Sequence, residues 1–117
     1  MLHHIVMMKF KPEVTAEQID ALEQALDQLP NVITDIHVYE FGPDIVRSER
    51  SFDFALVSLF ATLEALKRYQ EHPEHQKVLG TIKEMTEQIV TVDFEARPYP
   101  KKDPQTFEDL TKFKGHL

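Results

Sequence analysis

Leu2-His3-His4-Ile5-Val6-Met7-Met8-Lys9-Phe10 is the stretch that decides how this chain folds. Side chains alternate across a strand, so Leu2, His4, Val6, Met8 and Phe10 share one face, and His3, Ile5, Met7 and Lys9 share the other. Both sets are largely apolar. A strand with two such faces is covered twice, by helices on one side and by something else on the other. Lys11-Pro12 ends it.

Working outward, Thr15-Ala16-Glu17-Gln18 reads as a capping box with Val14 and Ile19 at the staple positions, and Leu22, Leu26 and Leu29 recur on one face of the helix behind it. Leu29-Pro30-Asn31 is expected to stop that helix. Val32 to Phe41 then returns as a strand, with Ile36, Val38 and Glu40 on one face and His37, Tyr39 and Phe41 on the other. Gly42-Pro43 opens a polar connection, Asp44 to Ser51, before a third and most aromatic strand from Phe52 to Ala61. Thr62 caps a second helical region that bends at His72-Pro73 and resumes through Val78, Leu79, Ile82 and Met85 to Ile89, leaving Val90 to Ala96 as the last strand.

The order β-α-β-β-α-β is the split βαβ arrangement, an α+β, ferredoxin-like fold with an antiparallel four-stranded sheet and both helical regions on one face. The opposite face keeps its apolar residues bare, drawn from Val6, Phe10, Phe54 and Phe60 or their strand neighbours. A second copy of the chain is the simplest cover, so a homodimer is expected.

A length of 117 residues predicts one main domain, and 42% hydrophobic with 28% charged residues is ordinary globular composition. The longest apolar run, Ile5 to Met8, is far too short to span a membrane, and no charged-then-apolar leader precedes it; a cytoplasmic protein without a membrane partner is expected. There is no cysteine, which removes disulfides, thiol nucleophiles and thiolate metal sites. A net charge of −7 argues against nucleic acid as a partner. That charge is uneven, about +2 on residues 97–117 against −9 on the rest. The expected division is a domain over 1–97 and an extension over 98–117, in which Asp103 caps a short helix carrying Phe107, Leu110 and Phe113 that clasps the domain or its partner, with a disordered tail as the competing reading.

Tyr69-Gln70-Glu71-His72-Pro73-Glu74-His75 is the most chemically loaded segment. Leu63, Leu66 and Tyr69 recur at helical spacing, which turns the tyrosine inward, and Pro73 breaks the helix at His72 and leaves His75 on the first turn of the next one. Imidazole beside a phenol at such a corner is a usable acid/base pair near neutral pH. The competing reading makes Tyr69 a core residue, His72 a cap and His75 a solvated side chain. Histidines three apart across a proline bend do not point one way, so neither a metal nor another cofactor is expected with His4, His72, His75 and Asp93. Glycine-rich phosphate loops and a nucleophilic serine context are absent.

Through His4-Ile5-Val6, Lys9-Phe10-Lys11, Phe54-Ala55-Leu56-Val57, the Tyr69 to His75 segment and Val92-Asp93-Phe94, residues 2–96 resemble the stress-responsive α/β-barrel domain family. The resemblance implies a ferredoxin-like protomer and a dimer whose two sheets close into a barrel. Members include plant polyketide cyclases, stress-induced plant proteins and many bacterial proteins with no assigned activity. Carried over by motif, the cyclases' catalytic pair falls on Tyr69 and His75, with Asp93 orienting His75. The same resemblance puts His4, with Phe54 and His72, in the substrate-binding set. Phe54 stands where the cyclases have a histidine, so the cyclase substrate is not implied.

Two functions follow. One is a cofactor-independent enzyme of lyase, cyclase or isomerase type, acting on a carbonyl-bearing small molecule with His75 as base, Tyr69 holding the oxygen and Asp93 orienting the base. The other is a non-catalytic stress-response or interaction protein whose polar residues form a satisfied network. A haem- or quinol-type monooxygenase ranks third, since no cysteine or arginine clamp supports it.

Overall fold

The computed structural model describes residues 1–98. Along these the order is β1 (Leu2–Phe10), α1 (Ala16–Val32), β2 (Val38–Pro43), β3 (Phe54–Phe60), α2 (Leu63–Glu71), α3 (Pro73–Met85) and β4 (Thr86–Glu95). All strand pairs are antiparallel, and the sheet runs β2-β3-β1-β4. This is the ferredoxin-like arrangement, with the two helices of the expected pattern drawn as three because Pro73 divides the second. The extension and its Phe107, Leu110 and Phe113 helix lie outside the described residues.

Alternation in β1 and β3 settles which face the helices take. Leu2, His4, Val6, Met8 and Phe10, with Phe54, Leu56, Ser58 and Phe60, are buried beneath Leu22, Leu26 and Leu29 of α1, Ala65, Leu66 and Tyr69 of α2, and Val78, Ile82 and Met85 of α3. Val6, Phe10, Phe54 and Phe60 are therefore core residues. Their strand neighbours Ile5, Met7, Val57, Val90, Val92 and Phe94 take the helix-free face.

Gly42 and Pro43, expected to open the loop, extend β2 by pairing with Ala55 and Phe54, β3 starts at Phe54 rather than Phe52, and two junctions shift further. Helix α1 runs through Pro30 to Val32, because proline this close to the end removes one bond while the Ile33 amide still donates to the Leu29 carbonyl at 2.9 Å. Ile33 then turns into the core, and the strand begins only at Val38. At the other end β4 starts at Thr86 rather than Val90, since the Thr86 hydroxyl closes α3 by donating to the Ile82 carbonyl at 2.8 Å and Thr86 itself pairs with Phe10. The capping box at Thr15 and Gln18 and the Thr62 cap form as the residue pattern predicts. Among the described residues no helix is long and apolar enough to cross a membrane.

Candidate active site

Strand register lays four polar residues in one row across the helix-covered face. Tyr39 of β2 pairs with Ser58 of β3, Ser58 with His4 of β1, and His4 with Asp93 of β4. The next row along is Phe41, Leu56, Val6 and Thr91, and beyond it Met8 lies between Phe54 and Ile89. Ser58 is wholly buried, its hydroxyl donating to the His4 carbonyl at 3.4 Å, and the His4 Nδ1 meets an Asp93 carboxylate oxygen.

Above this row sits the corner between α2 and α3. Tyr69, on the buried stripe of α2, donates to or accepts from the Tyr39 hydroxyl at 2.7 Å, and its ring lies 4.2 Å from that of His75 and 6.3 Å from that of His4, centre to centre. His75 Nδ1 lies 3.2 Å from the Gln70 carbonyl. A carbonyl only accepts, so Nδ1 carries the proton and Nε2 of the neutral ring keeps a free lone pair. Burial lowers the His75 pKa from its ordinary 6.5; the Gln70 carbonyl opposes this, and His4 and His72 reinforce it. Burial also raises the Tyr69 phenol to about 12, partly offset by the hydrogen bond it shares with Tyr39, and holds Tyr39 well above the ordinary phenol range.

A cavity of about 210 Å³ opens here. Val6, Leu56, Leu79, Ile82 and Ile89 make its apolar wall, and His4, Tyr69 and His75 reach it together with Gln70, Gln76 and Thr91. A larger groove of about 490 Å³ between α1 and α3 carries Lys11, Glu13 and Glu84 but brings no imidazole or phenol together, so the smaller cavity is the chemical one. Among the described residues no three histidines or carboxylates converge as metal ligands.

Three assignments change on this geometry. Asp93 orients His4 and not His75, because β1 and β4 put them directly opposite while the first turn of α3 gives His75 to the Gln70 carbonyl. Phe54 leaves the binding set: two strand positions below Leu56, it stacks on Phe41 at 6.2 Å and tilts against Phe10. His72 leaves it as well, since it caps α3 by accepting the Glu74 amide on Nδ1 at 3.1 Å. Tyr39, Ser58 and Thr91 were missed. Tyr39 shares a strand face with His37 and Phe41 in the residue pattern, and only the register to Ser58 shows that it belongs to the polar row.

The family model described as the stress responsive A/B barrel domain matches residues 2–96. An uncharacterized protein of Streptomyces coelicolor is 30% identical over 97 residues, 81% of this chain and 99% of that one. A dimeric ferredoxin-like protein of unknown function from Thermobifida fusca superposes with a TM-score of 0.76 at 30% identity, over 81% of this chain and 90% of that one. Olivetolic acid cyclase of Cannabis sativa is 23% identical over 96 residues, 80% of this chain and 95% of the cyclase. With its sheet order, its Tyr69 to His75 corner and its paired His4 and Asp93, this chain belongs to the stress responsive A/B barrel domain family.

Proposed function

We propose that the protein is a homodimer joined through the helix-free face of its sheet, and that each protomer is a cofactor-independent enzyme of lyase or cyclase type acting on a small, mostly apolar, carbonyl-bearing molecule. The observation that carries this reading is the meeting of the Tyr69 phenol and a neutral His75 imidazole at one apolar cavity. The His75 Nε2 lone pair takes a proton from the carbon beside the carbonyl, the electron pair moves onto the carbonyl oxygen, and the Tyr69 hydroxyl donates to that oxygen as charge develops. The carbanionic carbon then closes on a second carbonyl of the same molecule, or the reverse sequence cleaves a carbon–carbon bond, and the imidazolium returns the proton. His4, held by Asp93, orients the substrate from the floor of the cavity.

A screen of carbonyl-bearing apolar compounds against the wild type, His75→Ala and Tyr69→Phe tests this. Turnover lost by two or more orders of magnitude in both variants, with binding retained, supports the assigned roles. Turnover that survives both substitutions removes the two residues from the chemistry.

A second reading rests on the bonding count. Among the described residues no buried side-chain nitrogen or oxygen lacks a partner, which suits a non-catalytic interaction protein with a closed polar network. Failure of every compound to bind the wild type would favour it.

A further inference from the structure

Tyr39 and Tyr69 share one hydrogen bond but bring two hydroxyl protons to it. One proton lies between the oxygens, and the other has to find an acceptor elsewhere. Tyr69 lines the cavity, whereas Tyr39 does not, and Tyr39 makes no other hydrogen bond among the described residues. Around the Tyr39 ring stand Phe41 and Tyr69, both edge-on at 6.1 Å. If Tyr69 donated, its own proton would be spent on the half-buried Tyr39, and the Tyr69 oxygen would offer the cavity no donor. If Tyr39 donates, the proton left over is that of Tyr69, and it faces the cavity. Tyr69 is the more deeply buried of the two, and only the second arrangement gives a ligand oxygen the donor that the reading of Tyr69 requires.

We propose that Tyr39 is a positioning residue for Tyr69: its hydroxyl donates to the Tyr69 oxygen and so commits the Tyr69 proton to the cavity, where it meets an anionic or carbonyl oxygen of the ligand. This rests on the reading of Tyr69 as the oxygen-holding group. Three features support it. Register fixes Tyr39 at the end of the Tyr39, Ser58, His4, Asp93 row, so its hydroxyl rises from the sheet beside α2. Arg68, next to Tyr69, grips the Asp35 carboxylate with two bonds of 2.8 and 3.1 Å and ties the approach to β2 to the end of α2. Burial keeps both phenols neutral at working pH, so each is a donor. A chain of two neutral hydroxyls also strengthens its terminal donor, since each bond polarises the next.

The direction of the bond is read first, on the wild-type full chain. With ring-¹³C tyrosine, a slowly exchanging hydroxyl proton of the pair couples to the ring carbons of the residue that owns it. The chain has only three tyrosines, so the ring signals lost in Tyr99→Phe and in Tyr39→Phe complete the assignment. Coupling to the Tyr39 ring is expected. Coupling to the Tyr69 ring, or no protected hydroxyl proton at this depth, overturns the proposal whatever any variant does.

The consequence is read with 4-nitrophenolate and its uncharged isostere 4-nitrotoluene. Tyr39→Phe keeps the ring and removes the donor, so phenolate binding should weaken about tenfold. The 4-nitrotoluene affinity should stay within about twofold, because cavity shape is unchanged. Equal losses for both probes would make Tyr39 a merely structural residue, and an unchanged phenolate affinity would sever it from Tyr69; either overturns the proposal. If neither probe binds the wild type, the functional reading falls, while the proton's owner still decides the direction of the bond.

Discussion

The two faces of the sheet have nearly the same apolar content in sequence and opposite fates in the structure. On the helix-covered face Phe60, Phe54 and Met8 are 0%, 1% and 1% exposed. On the other face Val92, Phe94, Met7 and Val38 are 52%, 45%, 40% and 36% exposed in the isolated protomer, with the Phe94 ring stacked on His3 at 4.9 Å. The difference teaches that β-branched and aromatic residues in a strand establish that both faces want cover, without saying which face the chain can cover by itself. Here the β-α-β connections decide, placing α1, α2 and α3 on one side. The similar ferredoxin-like protein of Thermobifida fusca is dimeric.

The largest effect should come from placing a charge on the covered face. Phe54→Asp would bury a carboxylate between Phe10 and Phe41. The cost is expected to exceed about 4 kcal/mol, a large share of the stability of a domain this size. Circular dichroism should show the cooperative thermal transition lost or strongly lowered. A variant that melts like the wild type would mean that the core is not built on this row.

The matching change on the other face should separate assembly from folding. Val57 is central in β3 and pairs with Ile5, so Val57→Asp puts a charge in the middle of the proposed interface while leaving the helix-side core untouched. The expected outcome is a folded monomer by sedimentation at low micromolar concentration, with helix content retained. The comparison breaks if the wild type itself sediments as a stable monomer, because then the half-exposed face needs no partner.

Much of this was legible from residue pattern. The capping box at Thr15, the stripe of Leu22, Leu26 and Leu29, the turn at Pro73 and the four strands are local signals, and local signals survive folding. Pro30 misled because proline penalises a helix by position, and in the last turn the penalty is small enough for Ile33 to be drawn into the core. The site was half legible. Tyr69 and His75 are neighbours in sequence, and their meeting follows from one helix and one proline. The pairing of Asp93 with His4 instead of His75, and of Tyr39 with Tyr69, depends on cross-strand register, which a one-residue slip would reverse. Phe54 and His72 look like site residues only until the register and the cap of α3 are known.

The smallest effect concerns the titration of the covered face. His75 takes its proton at a lower pH in the folded protein than at its ordinary 6.5, mainly because it is buried. Between those two values the unfolded chain binds more protons at this site than the native one, and stability therefore rises with pH there. The contribution is fully present above 6.5, is lost progressively as pH falls through 6.5 toward the lowered folded value, and levels off below it. His75→Gln keeps a donor for the Gln70 carbonyl and cannot titrate. Urea denaturation of both proteins at a series of pH values between about 8 and about 5 should show the wild type losing stability more steeply on the acid side, with the two curves parallel above neutrality. Parallel curves over the whole range would mean that His75 titrates alike in both states, and the neutral base assigned to the cavity would lose its physical basis. A wild type that instead gains stability relative to the variant on acidification would mean that the folded protein prefers the imidazolium, turning His75 from the proton acceptor of the reaction into a proton donor.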